Sequence, residues 1–369
     1  MSTIDRYILR MLAMNYVIAL VVLISLYLVL DLFFNIDEFT EQGSSAGQTL
    51  QNLGAYYGAY VFLYFSQISG IITLFAGMVT LARMRRLNEL TALASSGVSL
   101  HRVTAIVLLF GVVTTAGLWW INAEQIIPSI ASKLARRRDD PGGQRAYGVS
   151  FLHDREGALL SAQEYHPDRA RLRRLLVLHR DAHGEFDAFV EAEEAEWKPI
   201  AGHPLGGLWR LYRGQLRMRN EPPGAFGPAE NAPPKPVSAY ESDLDPAAIQ
   251  LRQSAQWIRY LSSRQLSELA ARSPADAAEI QQVKHARFTT PLINLVLLLL
   301  GVPCFLNRAP GNILRDGAKC LAICGFCFVF AFACQHMLRT TGGGVPWPAW
   351  LPIMVFAPVA IVMLDRVRT

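Results

Sequence analysis

The sequence predicts a helical membrane protein with six spans and one inserted all-β domain on the extracytoplasmic side. Three observations predict it. Apolar runs long enough to cross a bilayer gather near both ends of the chain. Short loops alternate between rich and poor in Lys and Arg. A long central segment between the runs reads as short strands with turn residues between them. With 51% of its residues hydrophobic and 18% charged, the chain is more apolar than an ordinary soluble domain, which puts the membrane class first.

The first run, Ile8 to Phe34, is too long for the apolar core of a signal peptide and has no small-residue cleavage site behind it, so it is read as a retained span. Tyr60 to Ala82, Val103 to Ile121, Phe288 to Leu306, Cys320 to Leu338 and Ala349 to Leu364 are the other five. Arg6 precedes the first span and Arg10 lies in its first residues, and Arg83, Arg85, Arg86 and Arg102 lie between the second and third. Arg308, Arg315 and Lys319 follow the fourth, and Arg366 and Arg368 close the chain. The loop from Asn35 to Ala59 has no basic residue and the hairpin from Arg339 to Pro348 has one. Both termini are therefore expected in the cytoplasm. The net charge of +5 is accounted for by these loops, and nucleic acid is not expected as a partner.

This reading divides the chain into residues 1–122 with the first three spans, 123–287 outside, and 288–369 with the last three. In the outer segment, Tyr147 to His153, Ala158 to Tyr165, Leu172 to His179 and Phe186 to Trp197 alternate as strands. Trp209 to Arg219 reads as a hairpin turning near Gly214, and Val237 to Leu244 as a last strand. A sandwich or an open barrel accommodates such strands. Trp209 and Leu211 against Arg210, and Leu216 and Met218 against Arg217, predict one apolar face that carries Leu211, Leu216 and Met218. Glu221 to Pro236 is too rich in Pro and Gly for a central strand and is read as a surface insertion. Ser263 is expected to cap a helix, and Ser273 with Pro274 to open another that runs into the fourth span.

Catalytic motifs are absent: the chain has no HExxH, no GxSxG and no GxxxxGK[ST], so it is not expected to be an enzyme or to hydrolyse ATP through a phosphate loop. His183 and His203 are read as solvated loop residues. All five cysteines lie in or beside the C-terminal spans. Cys320, Cys324, Cys327 and Cys334 share one helical stripe, read as small-residue packing rather than as a soft-metal site. No cofactor is expected. Gly54 and Gly58 form a GxxxG compatible with helix contact, and Pro291, Pro303, Pro352 and Pro358 mark kinks or tolerated breaks.

The most informative segment is RMRRLNELTALASSGVSLHR, Arg83 to Arg102. Leu87, Leu90, Leu93 and Ala94 give a short helix one apolar face, Glu89 points elsewhere, and Gly97 supplies a stop. A helix lying on the membrane surface fits this pattern, and so does one that docks in a partner's groove.

IDRYILR before a long first span, LARMRRLNELTALASSGVS between the second and third, a β-rich insert, and HARFTTPLINLVLLLLGVP in the fourth together resemble the LptF/LptG permeases over essentially the whole chain, with the IDRY start leaning towards LptG. That resemblance implies a permease subunit of an ABC transporter for lipopolysaccharide or a related lipid, with a β-jellyroll-like outer domain. It implies a second permease of the same type, a cytoplasmic LptB-like ATPase dimer, and LptC-like and LptA-like periplasmic jellyroll proteins as partners. It also places Glu89 at the acid of the ATPase-coupling helix, about 85–97, with Arg86, Leu90, Leu93 and Gly97 around it. The chain departs from the family in having no Lys or Arg from Met11 to Ala82. Anionic headgroups are accordingly expected at Arg136, Arg137 and Arg138 after the third span and at Lys284 and Arg287 before the fourth, where arginine's fork suits phosphate. A membrane-anchored scaffold that recruits periplasmic partners without transport is the alternative reading.

Overall fold

The computed structural model describes residues 3–40, 46–136, 145–180, 186–200, 206–218, 234–254, 256–272, 277–306, 313–340 and 347–365. Arg137, Arg138, His183, His203, Ser273, Pro274 and the 219–233 stretch, which holds most of the Pro-rich insertion, lie outside the described residues. The chain separates into a helical unit, Met1–Asp37, Tyr57–Pro128 and Ala277–Thr369, and an inserted unit, Glu38–Tyr56 and Ser129–Asp276.

In the helical unit, six described helices are long and apolar enough to span a membrane. They are α1 (Thr3–Thr40), α2 (Ala46–Arg86), α4 (Leu100–Ser129), α8 (Ala277–Phe305), α9 (Ile313–Thr340) and α10 (Trp347–Asp365), with a short α3 (Glu89–Ser95) between α2 and α4. The helices outrun the apolar stretches because helical hydrogen bonding continues into polar sequence at each end. α8 is the hub. Its Ile293, Leu297, Leu298 and Leu300 pack with Leu74 and Leu81 of α2, Val103 and Val107 of α4, Ile8 and Leu12 of α1, Cys320 and Cys324 of α9, and Phe356 of α10. Backbones approach closely where side chains vanish: a Cβ on Gly301 would strike Leu74, and one on Gly111 would strike Leu298.

Polar side chains tie the spans together where lipid offers no hydrogen bonds. Asn15 of α1 donates to Thr80 of α2 at 2.8 Å, and Asn294 of α8 to Ser69 of α2 at 3.2 Å. Thr73 of α2 meets Thr114 of α4 at 3.3 Å, and Asn122 donates to the Phe62 carbonyl at 2.8 Å. α4 contains two π-helical stretches, Val113–Leu118 and Asn122–Ile126, and the hydroxyls of Thr114 and Thr115 bond back to the Gly111 carbonyl. Cys320 and Cys324 donate to carbonyls of α8, those of Gly301 and Leu297. Of the cysteine stripe, Cys320, Cys324 and Cys327 are buried in the helical core. Among the described residues, no side chain or backbone of another element comes within 4 Å of a Cβ built on Gly54 or Gly58, so the GxxxG makes no close contact with them.

The inserted unit is built on one six-stranded antiparallel sheet in which each strand pairs with its neighbours in sequence. The strands are β1 (Tyr147–His153), β2 (Leu159–His166), β3 (Arg171–Arg180), β4 (Phe186–Pro199), β5 (Gly207–Met218) and β6 (Lys235–Tyr240). Two expectations are corrected here. Trp209 to Met218 is a single strand and not a hairpin: Gly214 stands there because the carbonyl of Val237 on β6 leaves no room for a Cβ. Pro236 belongs to β6, an edge strand, where a missing N–H donor is tolerated.

Inward residues do not keep a strict period of two. They run Leu160, Ala162, then Tyr165 on β2; Leu172, then Leu175 and Val177 on β3; Val190, Ala192, then Ala195 on β4; and Trp209, Leu211, then Gly214 on β5. Each strand slips phase by one residue at the same level, so Leu172 still pairs with Tyr165 and Ala195, and Leu175 with Ala162 and Ala192. The extra residues are polar, and φ is 49° at Arg174 and 54° at Arg213. Arg213 reaches Glu193 at 2.7 Å and Arg173 reaches Glu164 at 3.4 Å across this row.

The sheet curls until its first hairpin meets the end of its last strand. Asp154, buried after β1, accepts from the hydroxyls of Tyr240 (3.0 Å) and Ser242 (2.7 Å) and from the backbone N–H of Asp243 (2.9 Å) and Arg155 (2.8 Å). Burial, and next the Asp154 charge, raise the Tyr240 phenol above its ordinary value, so it remains a donor at physiological pH. Burial also pushes Tyr165 up to about 12. Three helices follow the sheet: α5 (Pro246–Arg252), α6 (Trp257–Tyr260) and α7 (Ser263–Arg272). Asp245 caps α5, accepting from the Ala248 N–H. Ser262, one residue before the expected cap, shares a reciprocal capping box with Gln265 at α7. α8 runs without a break from Ala277 through the fourth span, as its sequence suggests.

Candidate functional site

The segment between the second and third spans is built by two breaks in helicity. Asn88 takes a left-handed conformation, φ 55°, which ends α2 and restarts the chain as α3 with Glu89 as its first residue. At the other end Gly97, φ 81°, closes a Schellman motif, with Val98 N–H on the Leu93 carbonyl and Gly97 N–H on that of Ala94. Leu90 is buried and Leu93 packs against the same helical core, so these two anchor α3 on its own chain. Leu87 lies in the turn and is exposed, and so does not share that face. Arg86, the last residue of α2, is also exposed, while its neighbour Arg85 pairs with Asp316 of α9 at 2.6 Å.

Glu89 itself is only half satisfied. Its Oε1 accepts from the Tyr7 hydroxyl of α1 at 3.0 Å, whereas Oε2 is buried and has no hydrogen-bond partner among the described residues. A carboxylate oxygen in that state is one donor short.

The basic residues singled out for a headgroup are divided between the two units. Arg136 is half-buried and belongs to the inserted unit, while Lys284, half-buried, and Arg287 belong to the helical unit. Arg287 departs from its expected place at the surface. Its side chain is 8% exposed and reaches Glu124 of α4 at 2.8 Å. The π-helical stretch Asn122–Ile126 carries Glu124 opposite α8, and burial of either charge alone would be unfavourable. At the far end of α1, where the chain lacks cations, Asp31 accepts from the hydroxyls of Tyr57 (3.0 Å) and Tyr64 (3.1 Å) and from Asn35 (3.3 Å). Neither Glu124 nor the Asp31 tyrosines stand out in the sequence, since their partners come from other helices.

Among the residues of the apolar face, Leu211 is enclosed in the sheet's core with Trp209. Leu216 packs against that core from its edge, and Met218 is 43% exposed. The phase slip at Tyr212 and Arg213 is what brings Leu216 to the same side as Leu211. Arg210 and Arg213, by contrast, stand on the solvent side.

A family model described as the lipopolysaccharide export system permease LptF/LptG matches residues 6–366, nearly the whole chain. No curated protein matches it.

Proposed function

Because this chain belongs to the LptF/LptG family of lipopolysaccharide export permeases, we propose that it is one transmembrane half of an ABC transporter in the inner membrane that extracts lipopolysaccharide or a related lipid. A second permease of the same type completes the cavity. A cytoplasmic LptB-like ATPase dimer supplies the energy, and LptC-like and LptA-like periplasmic jellyroll proteins receive the lipid. The inserted β-domain starts that bridge, with its apolar side, Leu211, Leu216 and Met218, offered to acyl chains. Arg136, Arg137, Arg138 and Lys284 meet phosphates of the headgroup, and Arg287 is reserved to Glu124.

The observation that supports this reading best is the Glu89 carboxylate, held at the start of α3 with one oxygen lacking a donor. In the proposed complex, α3 with Arg86, Leu90, Leu93 and Gly97 is the coupling helix, and a basic side chain of the ATPase pairs with the Glu89 carboxylate. A scaffold that recruits periplasmic partners has no use for such a carboxylate on the cytoplasmic side.

Removing one partner of a buried ion pair costs roughly 3–5 kcal/mol, against about 0–1 kcal/mol at an exposed site. Glu89→Lys is therefore expected to release the ATPase or to uncouple ATP hydrolysis from lipid release, with the membrane unit still folded. A basic-to-acidic change in the ATPase should restore it. Wild-type ATPase binding and lipid release in Glu89→Lys would remove Glu89 from the interface.

A further inference from the structure

Two segments far apart in the chain carry much of its family character, the IDRYILR start and the Arg83 to Arg102 segment, and the fold brings them into contact. At the beginning of α1, Ile8 is fully buried in the helical core. On one side of it Asp5 accepts from Arg102, at the start of α4, through both Nε and Nη2 at 3.1 Å. On the other side Tyr7 donates to Glu89, at the start of α3. The Asp5 side chain is 13% exposed and the two-pronged contact fixes the first turn of α1. Tyr7 is thereby held where its hydroxyl meets the carboxylate.

We propose that Tyr7 is the positioning residue for Glu89: its hydrogen bond to Oε1 holds the carboxylate in place at the start of α3 before the cation of the ATPase arrives, and so links the first span to the coupling helix. This rests on the reading of α3 as the ATPase dock. The physical reason is pre-organisation. A glutamate side chain has three rotatable bonds, and a donor fixed on one oxygen removes most of that freedom before the partner arrives. The same bond carries force: a displacement of α3 by the ATPase is passed to α1 through Tyr7, with Asp5 and Arg102 as the second strut.

The test measures the affinity of the purified cognate ATPase for the intact permease pair in nanodiscs, with wild-type chain, Tyr7→Phe, Glu89→Gln and the double variant. Tyr7→Phe keeps the ring and removes only the hydroxyl, so packing alone predicts no change. The expected result is about a tenfold loss of affinity in Tyr7→Phe, a loss at least as large in Glu89→Gln, and no further loss in the double variant. If Tyr7→Phe binds as wild type while Glu89→Gln binds weakly, the positioning role is overturned and the docking reading stands. Losses that add in the double variant would also overturn it, because Tyr7 would then act elsewhere. If Glu89→Gln binds as wild type, the docking reading fails, and the positioning role with it.

Discussion

Replacing Asp154 by alanine should open the inserted domain. One carboxylate there collects four donors, two hydroxyls and two backbone N–H groups, from both ends of the curled sheet. Hydrogen bonds to a charged group contribute roughly 1.5–3 kcal/mol each, and buried donors left without an acceptor add a further penalty. Because these contacts share one group they do not sum, and a loss on the order of 3–5 kcal/mol is expected. That is a large fraction of a domain's typical stability of about 5–15 kcal/mol. In the full-length protein, β1 and β6 should then become susceptible to protease and to hydrogen exchange, while the spans keep their protection. Wild-type protection of both strands in Asp154→Ala would show that the sheet closes by other means.

The second large effect is expected at the pair formed by Arg287 and Glu124, which ties the fourth span to the third. Glu124→Ala leaves a buried guanidinium without its carboxylate and should destabilise the helical unit by roughly 3–5 kcal/mol. The double change Glu124→Leu with Arg287→Met removes both charges and replaces them with apolar volume, so most of that loss should be recovered. Thermal unfolding of the detergent-solubilised protein reads both. A single-variant effect below about 1 kcal/mol, the range of an exposed pair, would mean that water reaches the site.

Much of this architecture is legible in the sequence because a bilayer imposes long apolar runs and a sheet imposes alternation. The six spans follow from the first rule, although α1 and α8 extend well beyond the apolar stretches that announce them. The second rule works locally and fails across the polar row. Leu172 and Leu175 are three apart, and only the coordinated slip in four strands puts them on one face. Gly214 looks like a turn because glycine is so often used for one, yet here it makes room for a crossing carbonyl of the next strand.

The site residues divide in the same way. Glu89 and Gly97 stand out because a cap, a short apolar face and a stop lie within a few residues of each other. Tyr7, Asp154 and Glu124 do not, since each acquires its meaning from a partner 82, 86 to 89 or 163 positions away. Arg287 was expected at the surface because charge before a span usually lies at the interface. Its burial follows from the acid that α4 sets opposite it.

The central proposal, that this chain helps to extract lipid from the membrane at the expense of ATP hydrolysed by a partner, is tested most directly by reconstitution. The chain, a second LptF/LptG-type permease and the ATPase are placed in proteoliposomes containing lipopolysaccharide, with a soluble periplasmic jellyroll protein outside as acceptor. The account predicts that lipopolysaccharide appears on the acceptor only with ATP and only when this chain is present, and that Glu89→Lys abolishes the transfer. Transfer of equal extent without ATP, or from vesicles that lack this chain, would contradict it.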